Sequence, residues 1–181
     1  MAGFFKKLFG GTDESAASQA PAPSSGTSSQ LVAHLEGTVV ALDQVSDQMF
    51  ATGALGPGAA IEPTAGRVVA PADAEVTVAF PTGHAIGLRT DDGLEILIHV
   101  GFDTVELEGK FFDSKVSKGD RVTQGQVLVE FDLEQVKAAG YPVTTPLVIT
   151  NAKKAVADLT IAGQGQHVAA GGDFLTVQRQ A

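Results

Sequence analysis

The chain has 181 residues, enough for one domain of ordinary size with a core of its own. Its 21 acidic and 12 basic side chains leave a net charge of −9, which repels nucleic-acid phosphates, and no stretch reads as a basic groove. The absence of cysteine excludes thiolate zinc sites, iron–sulfur clusters, cysteine nucleophiles and disulfides, and suits a reducing cytoplasm. No apolar run reaches the roughly 18 residues needed to cross a bilayer, and the start lacks the pattern of a secretory signal. A soluble, acidic, monomeric domain with an appended front segment is the expectation.

Residues 1–11, MAGFFKKLFGG, place Phe4, Phe5, Leu8 and Phe9 on one helical arc and Lys6 and Lys7 on the other. So short a helix is marginal in water, but on an anionic membrane surface both faces gain, so the stretch reads as membrane-contacting. The alternative is an unstructured tag. Residues 12–30 are rich in serine, alanine and proline, with no large apolar side chain. With nothing to bury, they cannot offset the entropy of ordering and read as a flexible linker. The domain proper is expected over 31–181.

From residue 31 the pattern is that of β-structure. Short apolar runs at 38–42, 67–70, 76–80, 86–89, 94–100, 126–131, 147–150 and 174–177 are separated by Gly, Pro or Asp. Residues 133–139, stopped by Gly140 and Pro142, predict a short helix. The fold class is all-β: a compact antiparallel sandwich or barrel-sandwich hybrid with one or two very short helices.

One motif occurs twice. Gly119-Asp-Arg-Val122-Thr-Gln-Gly125 and Gly165-Gln-His-Val168-Ala-Ala-Gly171 both read G-x-x-V-x-x-G ahead of a strand. A buried valine between turn-forming glycines suggests a duplicated hairpin. The same turn is typical of lipoyl and biotinyl carrier domains. Those present a lysine in an M-K-M or D-K-A context, which is missing here.

The chemistry concentrates at residues 80–105. Two β-like runs flank Thr90-Asp-Asp-Gly93, a hairpin signal. In the second run Leu94, Ile96, Ile98 and Val100 share one face, and Glu95, Leu97 and His99 the other. A two-residue turn at Asp91-Asp92 sets His84 directly opposite His99, with β-carbons about 4.5–5.5 Å apart. A turn at Asp92-Gly93 leaves them diagonal neighbours; only an odd-length loop would separate their faces. The ordinary alternative is two unrelated surface or core histidines.

Two imidazoles can ligate zinc, but a catalytic zinc site usually has a third protein ligand. His34 and His167 are remote in sequence and form no H-x-H or H-E-x-x-H pattern. No G-x-S-x-G elbow offers a serine nucleophile. What remains is histidine itself as nucleophile, attacking phosphorus near pH 7 while the neighbouring imidazole donates to the phosphoryl oxygens.

The run T-G-H-A…D-D-G-L-E-I-L-I-H-V-G-F-D-T-V-E-L-E-G resembles the enzyme IIA component of the glucose family of the bacterial phosphoenolpyruvate:sugar phosphotransferase system. Its most specific part is His99-Val-Gly-Phe-Asp-Thr-Val-Glu-Leu107, supported by Ala60-Ile61-Glu62-Pro63, Val69-Ala70-Pro71-Ala72-Asp73-Ala74 and Val129-Glu130-Phe131-Asp132. The amphipathic start is also similar to the membrane-touching N-terminus of standalone members. The resemblance implies a β-sandwich acting as a phosphocarrier. Phospho-HPr would donate to Nε2 of His99, and the group would pass to a cysteine in the IIB domain of a sugar permease. His84 matches the partner imidazole and Thr82 a hydroxyl hydrogen-bonding near the pair. Phe50, Phe80, Leu97 and Val105 match or neighbour the apolar docking face, and Asp47 and Asp103 its acidic rim. No cofactor is required, though a zinc ion shared by His84, His99 and a partner's carboxylate is implied at an interface. Pro81, Gly83 and Leu97 depart from the family pattern. Two further readings are a regulatory binding module that passes no phosphate onward, and a zinc-dependent hydrolase.

Overall fold

The computed structural model describes residues 27–181. The membrane-contacting reading of residues 1–11 and most of the linker reading lie outside them. Strands β1 (Ser28–Val32), β2 (Gly37–Ala41) and β3 (Gly58–Pro63) come first, with the one-turn helix α1 (Gln48–Ala51) between the last two. Seven consecutive strands follow: β4 (Arg67–Val69), β5 (Ala74–Ala79), β6 (Ala85–Thr90), β7 (Glu95–His99), β8 (Phe112–Ser114), β9 (Arg121–Val122) and β10 (Val127–Phe131). Then come α2 (Leu133–Ala138), β11 (Thr145–Ile149), α3 (Ala152–Ala155), β12 (Val156–Ile161), β13 (His167–Val168) and β14 (Asp173–Arg179). The all-β antiparallel class holds; among the described residues the short α-helices number three rather than one or two. Strand β1 spans Ser28–Val32, so the last residues assigned to the linker, 28–30, are strand: their polar composition is outweighed by the ladder from β1 to β14.

An eight-stranded sheet runs in the order β13-β2-β3-β11-β7-β6-β5-β9, and two three-stranded sheets, β1-β14-β12 and β4-β10-β8, complete the sandwich. The order is symmetric about the β11–β7 pair. Strands β4 to β10 form one unit; β1, β2, β3, β11, β12, β13 and β14 form its counterpart, with the first unit inserted between β3 and β11. The match extends to single hydrogen bonds. Gly119 N–H donates to the Val76 carbonyl and Gly165 N–H to the Val39 carbonyl, each at 2.8 Å. Gly125 N–H donates to Ala70 and Gly171 N–H to Ala33, again each at 2.8–2.9 Å. Even the irregular step recurs: Val127↔Val69 then Val129↔Val68 in one unit, Asp173↔Val32 then Leu175↔Leu31 in the other. The repeated G-x-x-V-x-x-G motif therefore builds β9 and β13, the two edge strands of the large sheet. Its four glycines all have positive φ, between 78° and 95°, where a β-carbon would be strained.

The main core lies between the layers. Leu31, Leu35, Ile61, Ile86, Leu88, Ile96, Ile98, Leu128, Leu147 and Phe174 are all fully or almost fully buried in it, each worth about 1.5–3 kcal/mol. A second, smaller cluster lies elsewhere: Val45, Phe50, Ala60, Phe102 and Val148, with Leu97 packed against it. The alternation in β7 explains the division. Ile96 and Ile98 enter the main core, whereas Leu97 and His99 project on the side of the small cluster.

Candidate functional site

The β6–β7 hairpin pairs Ala85 with His99, Gly87 with Leu97 and Arg89 with Glu95. Its loop is Asp91-Asp92-Gly93: Thr90 N–H donates to the Leu94 carbonyl and Gly93 N–H to the Thr90 carbonyl, both at 2.9 Å. Gly93, at φ +90°, is the left-handed residue of a three-residue hairpin. The loop is thus odd in length, contrary to both two-residue registers, and strict alternation would send the two histidines to opposite faces. They meet nonetheless. The ladder stops at Ala85, and Gly83 at φ +72° bends the chain so that the His84 ring comes back over His99. The ring centroids are 5.1 Å apart at 73°, edge to face.

The nitrogens are not equivalent. His99 Nδ1 lies 2.6 Å from the Gly101 carbonyl oxygen. A carbonyl only accepts, so Nδ1 carries the proton and the neutral ring keeps its Nε2 lone pair free. His84 Nδ1 is hydrogen-bonded to Thr82 Oγ1, the hydroxyl expected near the pair. Burial holds the His99 pKa below its ordinary value, although the Gly101 carbonyl, Asp47 and Asp103 pull the other way. Burial, followed by the like charge of His99, lowers His84 to about 4. Both rings are neutral at pH 7, and a neutral imidazole is the nucleophilic form.

The surroundings divide by depth. Phe80, 42% exposed, sits 5.1 Å from the His84 ring, and Val105 is 50% exposed. Val78, exposed beside Phe80 and Leu97, extends this apolar surface, and Met49 is exposed on α1. Leu97 is half-buried in the sheet between the hairpin and the small cluster. Phe50, expected on the docking face, is only 3% exposed and lies beneath it. Its ring meets His99 edge-on at 5.6 Å and Phe102 at 5.7 Å, forming the floor of the site. Asp47 also does more than line a rim: its carboxylate accepts from the backbone N–H of Met49 and Phe50 at 2.8 and 3.4 Å, capping α1. Asp103 follows the site turn with φ +58°.

The other two histidines stay apart from the pair. His34 is fully buried against Phe174, and its Nε2 pairs with the Thr145 carbonyl at 2.9 Å. His167 is exposed on the edge strand β13. Among the described residues no group of three or more His, Asp or Glu side chains could hold a metal, so the hydrolase reading lacks its third ligand. No helix among them is long and apolar enough to cross a membrane.

Comparison with known proteins adds a family to this geometry. Residues 29–155 match the profile of the phosphoenolpyruvate-dependent sugar phosphotransferase system, EIIA 1. The PTS system beta-glucoside-specific EIIBCA component of Bacillus subtilis (strain 168) is 50% identical over 134 residues, 74% of this chain and 22% of that protein. The PTS system glucose-specific EIIA component of Halalkalibacterium halodurans is 44% identical over 147 residues, covering 81% of this chain and 83% of the relative. The chain spans about a fifth of the length of the beta-glucoside-specific relatives that it matches. Among solved structures, the glucose permease IIA of Mycoplasma capricolum superposes with TM-score 0.77 and 35% identity, covering 83% of this chain and 96% of that one.

Proposed function

We propose that this chain, which belongs to the glucose-type EIIA family of the sugar phosphotransferase system, is a phosphocarrier whose phosphoryl acceptor is Nε2 of His99. The observation that carries this is the Nδ1 bond to the Gly101 carbonyl, which leaves the Nε2 lone pair free on a neutral ring. In the first step that lone pair attacks the phosphorus of phospho-HPr, the new P–N bond forms as the donor's breaks, and the Nδ1 proton stays in place. His84 assists. With Thr82 Oγ1–H donating to His84 Nδ1, the His84 proton sits on Nε2 and can be given to a phosphoryl oxygen. Phosphoryl transfer spreads charge over the equatorial oxygens, so a fixed donor there lowers the barrier to onward transfer.

The onward acceptor is a cysteine of a permease IIB domain; relatives that join EIIA to B and C components in one chain support such a partner. Phe80 and Val105 give partners an apolar landing surface, and Asp47 and Asp103 favour basic side chains on a donor. The relay itself requires no cofactor. His84 and His99 offer two imidazole donors, so zinc would bind here only with a further ligand from a partner. The relay would run in the cytoplasm, with residues 1–11 touching anionic membrane and the phosphorylation state regulating other proteins. Incubation with phosphoenolpyruvate, enzyme I and HPr, followed by mapping of the phosphohistidine, tests the reading. Label on Nε2 of His99 that chases to a IIB domain is expected; no label, or label on another histidine, overturns it.

A further inference from the structure

We propose that buried Thr104 is a positioning residue that sets the tautomer of His99. The inference rests on the phosphocarrier reading for its kinetic consequence but not for its structural one.

Three successive peptide units after β7 are each held by a different partner. Val100 N–H, in the first, donates to the His84 carbonyl at 2.6 Å. The Val100 carbonyl, in the second, accepts from the hydroxyl of Thr104. Phe102 N–H, in the third, donates to the Pro142 carbonyl at 3.1 Å. That third unit also contains the Gly101 carbonyl. In a trans peptide C=O and N–H point opposite ways, so anchoring Phe102 N–H on Pro142 turns the Gly101 oxygen toward His99 Nδ1.

The weak link is Gly101 itself. It has φ +70°, and without a β-carbon it has the widest conformational freedom of any residue. The Val100–Gly101 plane is the frame from which its carbonyl is aimed, and Thr104 holds that plane. Of the three anchors, Thr104 alone is a side chain. It is fully buried, and its methyl group packs where a β-carbon on Gly101 would come within 2.7 Å. Val100 is likewise buried, so its carbonyl has no ready substitute for the lost hydroxyl.

The consequence is chemical. If the Gly101 carbonyl drifts, Nδ1 loses its acceptor, and the neutral ring exchanges Nδ1–H for Nε2–H. The second tautomer cannot attack through Nε2. A single net hydrogen bond of about 1 kcal/mol corresponds to roughly a five-fold change in such a balance.

The test compares Thr104→Val, which keeps shape and loses the hydroxyl, with Thr104→Ser, which keeps the hydroxyl and loses the methyl. Nitrogen-15 NMR of the unphosphorylated full chain reads the tautomer without any donor. The expected result is a single Nδ1–H form of His99 in wild type and Thr104→Ser, and a mixture in Thr104→Val. For the valine variant, phosphoryl acceptance from phospho-HPr should fall in kcat only in proportion to the Nδ1–H fraction lost, by less than about two-fold for a five-fold shift from a single form. KM should change little because the docking face is untouched, and serine should restore kcat. An unmixed Nδ1–H form in Thr104→Val overturns the proposal. Should the valine variant not fold, Thr104→Ala takes its place with the same two readouts. If wild type accepts no label from phospho-HPr, the phosphocarrier reading fails, while the tautomer comparison still decides the role of Thr104.

Discussion

The two seven-strand units share a backbone plan, but only one carries the histidine pair. Val100 N–H donates to the His84 carbonyl at 2.6 Å in one unit, and Ile149 N–H to the Pro57 carbonyl at 2.9 Å in the other. By this correspondence Pro57 stands in for His84 and Val148 for His99. After the strand the paths part. Strand β7 runs into Gly101 in the left-handed region, which folds a carbonyl back onto His99, whereas β11 runs through Thr150 and Asn151 into α3. The connections before the equivalent strands β6 and β3 differ as well. Between β5 and β6 the chain needs only 80–84, and the bend at Gly83 exposes Phe80. Between β2 and β3 it runs from 42 to 57 and carries α1, whose Phe50 covers Val148 and floors His99. The unit that lacks the pair, the silent one, thus supplies the foundation, and the other supplies the two imidazoles. The pair arises from a few residues at the strand ends, not from the shared fold.

Breaking the asymmetry at its centre should have the largest effect. His99→Ala should reduce phosphoryl acceptance to background while circular dichroism and thermal unfolding stay near wild type, since the side chain is half-buried at the surface. Labelling at the wild-type rate would place the acceptor elsewhere.

His84→Gln should separate the two steps. The nucleophile survives, so acceptance from HPr continues, but onward transfer to IIB should slow by up to about 10²–10³, because glutamine keeps an N–H near the right place yet cannot take up a proton as imidazole can. A two-stage label chase measures both, and equal rates throughout would leave His84 without a catalytic part.

Gly101→Ala probes the turn that the silent unit lacks. The new β-carbon would meet the Pro142 carbonyl oxygen at 2.5 Å and Thr104 Cγ2 at 2.7 Å, at φ +70°. Acceptance should drop by about ten-fold, the equivalent of roughly 1.4 kcal/mol, as strain moves the carbonyl from Nδ1. Unchanged kinetics would mean that this carbonyl does not govern the nucleophile.

The last effect is on stability rather than on transfer, and it acts within the silent unit. His34, beside β2, bonds the Thr145 carbonyl of β11, and burial lowers its pKa from 6.5 to about 4. The unfolded chain binds the proton first. The contribution is therefore complete above about pH 6.5 and is lost as pH falls toward 4, amounting to about 3 kcal/mol. Thermal unfolding of wild type should show that decline. His34→Gln, which cannot titrate, should show a shallower one from a lower starting point; parallel curves would remove His34 as the cause.

Much of this was legible in residue order. The alternation over 94–100 put Ile96, Ile98 and Val100 on one face and Leu97 and His99 on the other, as found, because a strand's side-chain period depends on local geometry alone; the first face is the core. The duplicated glycine motif marked a repeated turn ahead of a strand, since glycine adopts the left-handed region at no steric cost, but not that the motif itself holds the edge strands β9 and β13. The central strand β3 went unread. Its sequence GAAIEP has little β-propensity, and the small residues are there because Gly58 lies so close to Leu147 that a β-carbon would meet its carbonyl oxygen at 1.9 Å.

The histidine pair shows where residue order stopped. It supplied two imidazoles near a hairpin, but the even loop inferred from their spacing is in fact a three-residue loop, and a bend at Gly83 reunites the rings. Phe50, distant along the chain, became the floor because the β2–β3 connection packs over the sheet. Which His99 nitrogen is left without a partner depends on the Gly101 carbonyl, in a peptide unit held by Pro142 from the segment before β11. Such features arise from contacts between segments far apart in the chain. Side-chain period and turn chemistry are local and can be read residue by residue; the direction of a carbonyl or the depth of a ring is settled only when distant segments pack.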